Sequence, residues 1–213
     1  MTSPEGSADL MTGTTTAAAI RRATRLDVEP TTQVLADAFQ DGPVADWLVS
    51  DERARRWVAF NYFSILVDHA LRHGFIDITG DVSGVAVWYP RTGNPLPEPA
   101  AYALRLADAS GPWLDRFIML DDALALRQPD RPHHHLAFLA VAPGHQGHGI
   151  GTVLLQHHHR RLAAEGVPAY AVASSPRNRD LYVRHGFRTA GPFRLPDHGP
   201  PLWPMQYDPT THD

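Results

Sequence analysis

The stretch from His133 to Gly166 limits the possible folds more than any other part of the chain. "HHHLAFLAVAP" (133–143) reads as a strand. Its second half is too apolar to face water on either side, so it is expected in the middle of a sheet. "GHQGHGIG" follows, with Gly144, Gly147, Gly149 and Gly151 in eight positions and no acidic residue. Ile150, Val153, Leu154, Leu162 and Ala163 then recur at helical spacing and stop at Gly166. "VPAYAVAS" is the next strand, "RNRDLYVRHG" a short helix with Gly186 at its end, and "FRTAGPF" and "PLWPMQY" two late strands. This order defines an α/β or α+β protein.

The first half is less sharply patterned. "IRRAT" (20–24) reads as a strand, and Val34, Leu35, Ala38 and Phe39 mark a helix that Gly42 can end. "VADWLVSD" is a further short helix. From Asp51, a candidate N-cap, to Gly74 a long helix carries Trp57, Phe60, Tyr62, Phe63, Leu66, Val67 and Leu71 as an apolar stripe. "FIDITGDVSGVAVWYP" (75–90) changes period and reads as a β-hairpin. A Pro-rich loop covers 91–99, and residues 100–128 read as two helices broken at "SGP". Residues 1–18, rich in Ser, Thr, Gly and Ala, read as a disordered leader without the basic start of a signal peptide.

Composition removes several chemistries. With no Cys, disulfides, thiolate metal sites and a Cys nucleophile are excluded, and a reducing, cytoplasmic setting is expected. All 19 basic residues are Arg, so a P-loop Lys and a Schiff-base Lys are excluded as well. A formal charge of -4 gives no footprint for nucleic acid or membrane. The His triplets 133–135 and 157–159 invite a metal, but adjacent helix residues diverge by about 100° and the spacing matches no common zinc pattern, so no metal is expected.

The glycine loop is built for a phosphate, since glycines let backbone amides approach an anion at a helix start. The dinucleotide fingerprint fails on Thr152 and Leu154, and the Walker pattern fails on Ile150. A third template, Gln-x-x-Gly-x-Gly between a buried strand and a helix, fits Gln146, Gly149 and Gly151. With it come "LAFLAVAP" before the loop and "NRDLYVRHGF" after it, where Asn178, Tyr182, Gly186 and Phe187 fall in register. On these residues the chain resembles the GCN5-related N-acetyltransferase (GNAT) superfamily. The match covers about residues 133 to 190, and the C-terminal half resembles puromycin N-acetyltransferase and related bacterial small-molecule enzymes.

The resemblance implies a mixed, twisted central sheet of about seven strands flanked by helices and splayed between its two central strands. It implies one domain over 19–213, with an acceptor-side half (19–132) and an acetyl-CoA-binding half (133–209). Acetyl-CoA is the implied co-substrate. Its pyrophosphate would meet the backbone of Gly147, His148, Gly149, Ile150, Gly151 and Thr152. Its pantetheine would pair with Leu139, Ala140 and Val141, and Gln146, Asn178 and Leu181 would complete the cradle. Tyr182 stands at the position of the acid that protonates the leaving thiolate, and the Val141 N–H at that of the carbonyl polariser.

Val172 occupies the place of a carboxylate in the puromycin-type enzymes that the chain resembles, so the base stays open between His135, Asp41 and water. Phe39, Asp41, Trp47, Trp88 and Tyr89 are candidates for the acceptor pocket, though aromatics are more often core. The implied reaction is direct acetyl transfer to a primary amine of a small molecule, an antibiotic or other secondary metabolite. A protein N-acetyltransferase and a non-catalytic acyl-CoA-binding regulator are the alternatives. A monomer or homodimer is expected.

Overall fold

The computed structural model describes residues 19–93 and 95–211. The proposed leader lies outside them. The elements in chain order are β1 (Ile20–Arg22), α1 (Val28–Phe39), α2 (Pro43–Leu48), α3 (Glu52–His73), β2 (Phe75–Thr79), β3 (Gly84–Arg91), α4 (Tyr102–Ser110), α5 (Leu114–Ala125), β4 (His133–Val141), α6 (Ile150–Glu165), β5 (Ala169–Ala173), α7 (Pro176–Arg184), β6 (Phe193–Arg194) and β7 (Pro201–Tyr207). They form one seven-stranded mixed sheet in the order β1-β2-β3-β4-β5-β7-β6. Only β4 and β5 run parallel.

Alternation along the strands divides the core into two layers. Ile76, Ile78, Val85, Val87 and Tyr89 point to the side covered by α1 and α3. Ala86, Trp88 and Leu136 point to the other side, against Leu154, Leu155 and Leu162 of α6 and Tyr182 of α7. The helix ends follow the chemistry read from the sequence. The Asp51 carboxylate accepts from the Arg53 N–H at 2.9 Å to start α3. Gly166, at φ 64°, closes α6 in the left-handed conformation that glycine adopts without a Cβ clash.

Three expectations need correction. Trp57 is 58% exposed and stands off the apolar stripe of α3, which instead centres on Val58, Tyr62 and Phe63. "FRTAGPF" is not a full strand. Only Phe193 and Arg194 pair with β7, and Arg188 makes an isolated bridge to Gln206. The second half of β4 is central yet only half-buried at Ala137, Phe138, Leu139 and Val141, because it lines a cleft. Among the described residues no helix is long and apolar enough to cross a membrane.

The cleft has a cause in the register. β4 pairs with β5 only from His134 to Leu136. Opposite Val87 and Trp88 the register slips, so that β4 carries one extra residue. The slip is visible in parity. The His134 N–H donates to Pro168 O at 2.8 Å, toward β5, whereas the Ala142 N–H donates to Ser83 O at 2.8 Å, toward β3. A bulge of this kind bends the strand and turns the following peptide groups over. The amides of Leu139 and Val141 therefore face the edge from which β5 has departed.

Candidate active site

A cleft of about 650 Å³ opens at this splayed edge. One end is the glycine loop. The Val153 N–H, bonded to Gly149 O at 3.0 Å, is the first of α6 to find a backbone carbonyl. Among the described residues the amides from Gly147 to Thr152 find none, and they lie at the positive end of a 16-residue helix. Gly147 and Gly149 hold φ values of 85° and 82°, so a side chain at either would strain the loop. Gly151 fits between Leu181 and Leu139, which an added Cβ would approach to 3.5 and 3.8 Å.

Side chains brace the loop from both flanks. Gln146 Nε2 donates to Val141 O at 3.2 Å, and Arg177 donates to Gln146 Oε1 at 3.4 Å. His185 and Thr152 meet at 3.1 Å, tying α6 to α7. α7 itself starts at Ser175, whose hydroxyl accepts from the Asn178 N–H at 3.2 Å. His148 is exposed, 3.3 Å from His145 O, and stands outside the cleft lining.

In the middle of the cleft stand Val141, Tyr182 and His135. Tyr182 is buried, packed 5.4 Å from the Phe187 ring, and its hydroxyl makes no hydrogen bond to the protein among the described residues. Burial raises its pKa well above the ordinary phenol value, so it carries its proton throughout the physiological range. His135 is half-buried, with Nδ1 unpartnered. Burial, reinforced by Arg91 and His133, pushes its pKa down to about 3. Its imidazole is neutral at physiological pH and can accept a hydrogen bond.

The far end is an apolar pocket. Phe39 packs 5.5 Å from Phe63 and 5.9 Å from Phe138, and Tyr62 packs 4.9 Å from Phe117. Leu120, Leu124, Val172 and Leu202 close it from α5, β5 and β7, and Asp41 stands exposed at the rim.

The structure brings Phe39, Asp41, His135, Leu139, Ala140, Val141, Gln146, Gly147, Gly149, Ile150, Gly151, Thr152, Asn178, Leu181 and Tyr182 onto one cleft. It leaves out three aromatics expected on the acceptor side. Trp88 points to the α6 face and stacks on His158, centroids 3.9 Å apart. Tyr89 is buried under α3, with its hydroxyl 3.1 Å from His69. Trp47 donates to Pro196 O at 3.1 Å and lies beneath the Arg116 guanidinium. Strand parity decides the first two, and the β6–β7 turn claims the third. Besides Phe39, the aromatics that line the pocket, Tyr62, Phe63, Phe117 and Phe138, read as ordinary core in the sequence. Arg177 was legible and passed over: a cation in the first turn of a helix opposes the dipole, which makes sense beside an anion.

This arrangement defines a class: a mixed sheet split beside a glycine-rich loop at a helix start, with a protonated tyrosine and an apolar pocket on the same cleft. The comparisons agree with it. Residues 123–209 match the acetyltransferase (GNAT) domain model. An uncharacterized N-acetyltransferase of Schizosaccharomyces pombe is 25% identical over 183 residues, covering 79% of this chain and 74% of that protein. A structure described as histone acetyltransferase HPA2 and related acetyltransferase, from Corynebacterium glutamicum, is 26% identical. It superposes with a TM-score of 0.69 over 90% of this chain and 96% of that one. Arylalkylamine N-acetyltransferase 2 from Aedes aegypti, 13% identical, shares the fold with a TM-score of 0.61 over 89% of this chain and 98% of that one. Over residues 123–209 the chain is similar in sequence to the GNAT acetyltransferase domain, and these likenesses make it an acyltransferase.

Proposed function

We propose that the cleft binds acetyl-CoA and transfers its acetyl group directly to a primary amine borne by a small molecule with an apolar body. The observation that carries this reading is continuity. One cleft runs from the free amides of the glycine loop, past the open edge of β4 and Tyr182, into the aromatic pocket. On this reading pyrophosphate sits on the amides from Gly147 to Thr152, with Arg177 beside it. Pantetheine extends β4 as an added strand along Leu139 and Val141. Asn178 and Leu181 flank it from α7.

The amine nitrogen attacks the thioester carbon. The carbonyl oxygen becomes an oxyanion, and the Val141 N–H stabilises it. The C–S bond then breaks, and the CoA thiolate takes the Tyr182 proton. Burial weakens the phenol as an acid, but the same dry site makes the thiolate more basic, so the transfer stays matched. His135 accepts a hydrogen bond from the amine and orients its lone pair. With a pKa of about 3 it does not hold the amine's proton, which leaves to water at the rim near Asp41.

A protein amine as acceptor is the second reading, favoured by the likeness to the Corynebacterium structure described as a histone acetyltransferase. The pocket walls from α5, β5 and β7 favour a small molecule. Thiol release from acetyl-CoA with lipophilic primary amines, antibiotics bearing primary amines, and Lys or N-terminal peptides separates the two. Saturable turnover with the small amines and background rates with peptides are expected. The reverse pattern would overturn the small-molecule assignment, and CoA binding without turnover on any amine would favour a regulator.

A further inference from the structure

A second, smaller cavity of about 170 Å³ lies at the opposite end of β4, roughly 26 Å along the strand from the glycine loop. Arg91, Arg131, His133 and Gln128 line it, with exposed Asp130 at the rim. Arg91 and His133 are paired across β3 and β4. Among the described residues, three buried polar atoms of this lining have no partner: Arg91 Nε, His133 Nε2 and Gln128 Oε1. His133 is 2% exposed, and Arg91 makes no ion pair among the described residues. Arg131 reaches Gln206 Oε1 at 3.4 Å, with Asp208 in its field. A guanidinium partly withdrawn from water without a counter-charge is costly, and unpaired buried polar atoms add to that cost.

We propose that this cavity binds one small oxyanion, a phosphate or carboxylate group, between Arg91, Arg131 and His133. Arg91 and Arg131 supply charge-assisted donors to its oxygens. His133 sets the protonation state. Its Nδ1 lies 2.8 Å from Arg131 O, and a carbonyl only accepts, so Nδ1 carries the hydrogen. In the neutral ring Nε2 then holds a lone pair. The charged and titratable groups around it are Arg91 on β3, Arg131 and Asp130 before β4, His134 and His135 on β4, and Tyr170 on β5, whose ring lies 5.8 Å away. For an anion that carries no proton, Nε2 takes one from solvent on binding, and the imidazolium then donates to the anion. Binding of such an anion is therefore coupled to uptake of one proton. The site is separate from the acceptor cleft.

Calorimetric titration of the full chain tests this, with sodium sulfate and sodium acetate at constant ionic strength and CoA present to occupy the glycine loop. One saturable anion per chain is expected. Sulfate binds tighter at pH 6 than at pH 8, by up to about tenfold per pH unit. Tighter sulfate indicates a phosphate-type ligand, and tighter acetate a carboxylate-type one. Arg91→Gln abolishes the binding. Arg131→Gln, an exposed change that spares the fold, weakens it at least about fivefold. Saturable binding of neither anion, or either variant binding as tightly as the parent, would overturn the proposal. If CoA itself does not bind, the two variants still separate this site from the loop, because both residues lie at the other end of β4.

Discussion

At the scale of single residues, Tyr182 and His135 differ in what burial does for them. Burial keeps the Tyr182 hydroxyl protonated and keeps His135 neutral. A general base with a pKa near the working pH would shape the acidic limb of the rate profile, whereas His135, at about 3, lies below that window. His135→Asn is therefore expected to lower kcat/KM for the amine by roughly threefold to tenfold, the worth of one hydrogen bond, and to leave KM for acetyl-CoA unchanged. The pH–rate profile between pH 6 and 9 should not move. A shifted acidic limb in the variant would make His135 the base. The sequence could place both residues because each sits in a register anchored by neighbours. It could not give their protonation behaviour, which depends on Arg91, His133 and packing around them.

At the scale of elements, the site depends on how β3 and β4 meet α6. Gly84, at the start of β3, lies against the first turns of that helix. A Cβ there would come within 2.4 Å of Ile150 Cγ2 and 3.1 Å of Leu154 Cδ1. Gly84→Ala is expected to cost about 1–3 kcal/mol by overpacking and, by moving Ile150, to weaken CoA binding as well. Thermal unfolding and a CoA titration check both, and an unchanged melting temperature would contradict the packing. The strand–loop–helix unit and the long helix α3 were legible because hydrophobic period, caps and glycines agree there. The β4 bulge was not. It arises from pairing with β3 rather than from any residue in β4, and it decides which amides face the cleft. Trp88 and Tyr89 were misplaced for a related reason, since strand composition does not say which face a layer will cover. Of the two late strands, only "FRTAGPF" was overread, because it carries Gly and Pro in its second half.

At the scale of the whole molecule, the sheet is unusual in burying histidines between its layers. His134 and His158 meet at 2.9 Å, with Asp77 and Glu165 each 3.4 Å from one of the rings, and Trp88 stacked on His158. Burial pushes His134 down to about 4 and lowers His133 and His158 too, with Arg161 adding to the effect at His134 and His158. In the unfolded chain these imidazoles titrate near 6.5, so below that pH the unfolded state binds more protons than the folded one. Stability is therefore expected to hold above about pH 6.5 and fall from there toward pH 4, by up to about 1.4 kcal/mol per pH unit for each such histidine. Asp27 and Asp81, held low by their hydrogen bonds, lose their contribution only below about pH 4. Urea midpoints at pH 7.5, 6.5, 5.5 and 4.5 check this, and a flat series would contradict it. The central claim concerns the cleft that these layers hold open, and Tyr182→Phe tests it most directly. Amine-dependent thiol release from acetyl-CoA should fall about a hundredfold or more in the variant, with affinity for acetyl-CoA nearly unchanged. Release as fast as in the parent, with the same amine, would contradict the account.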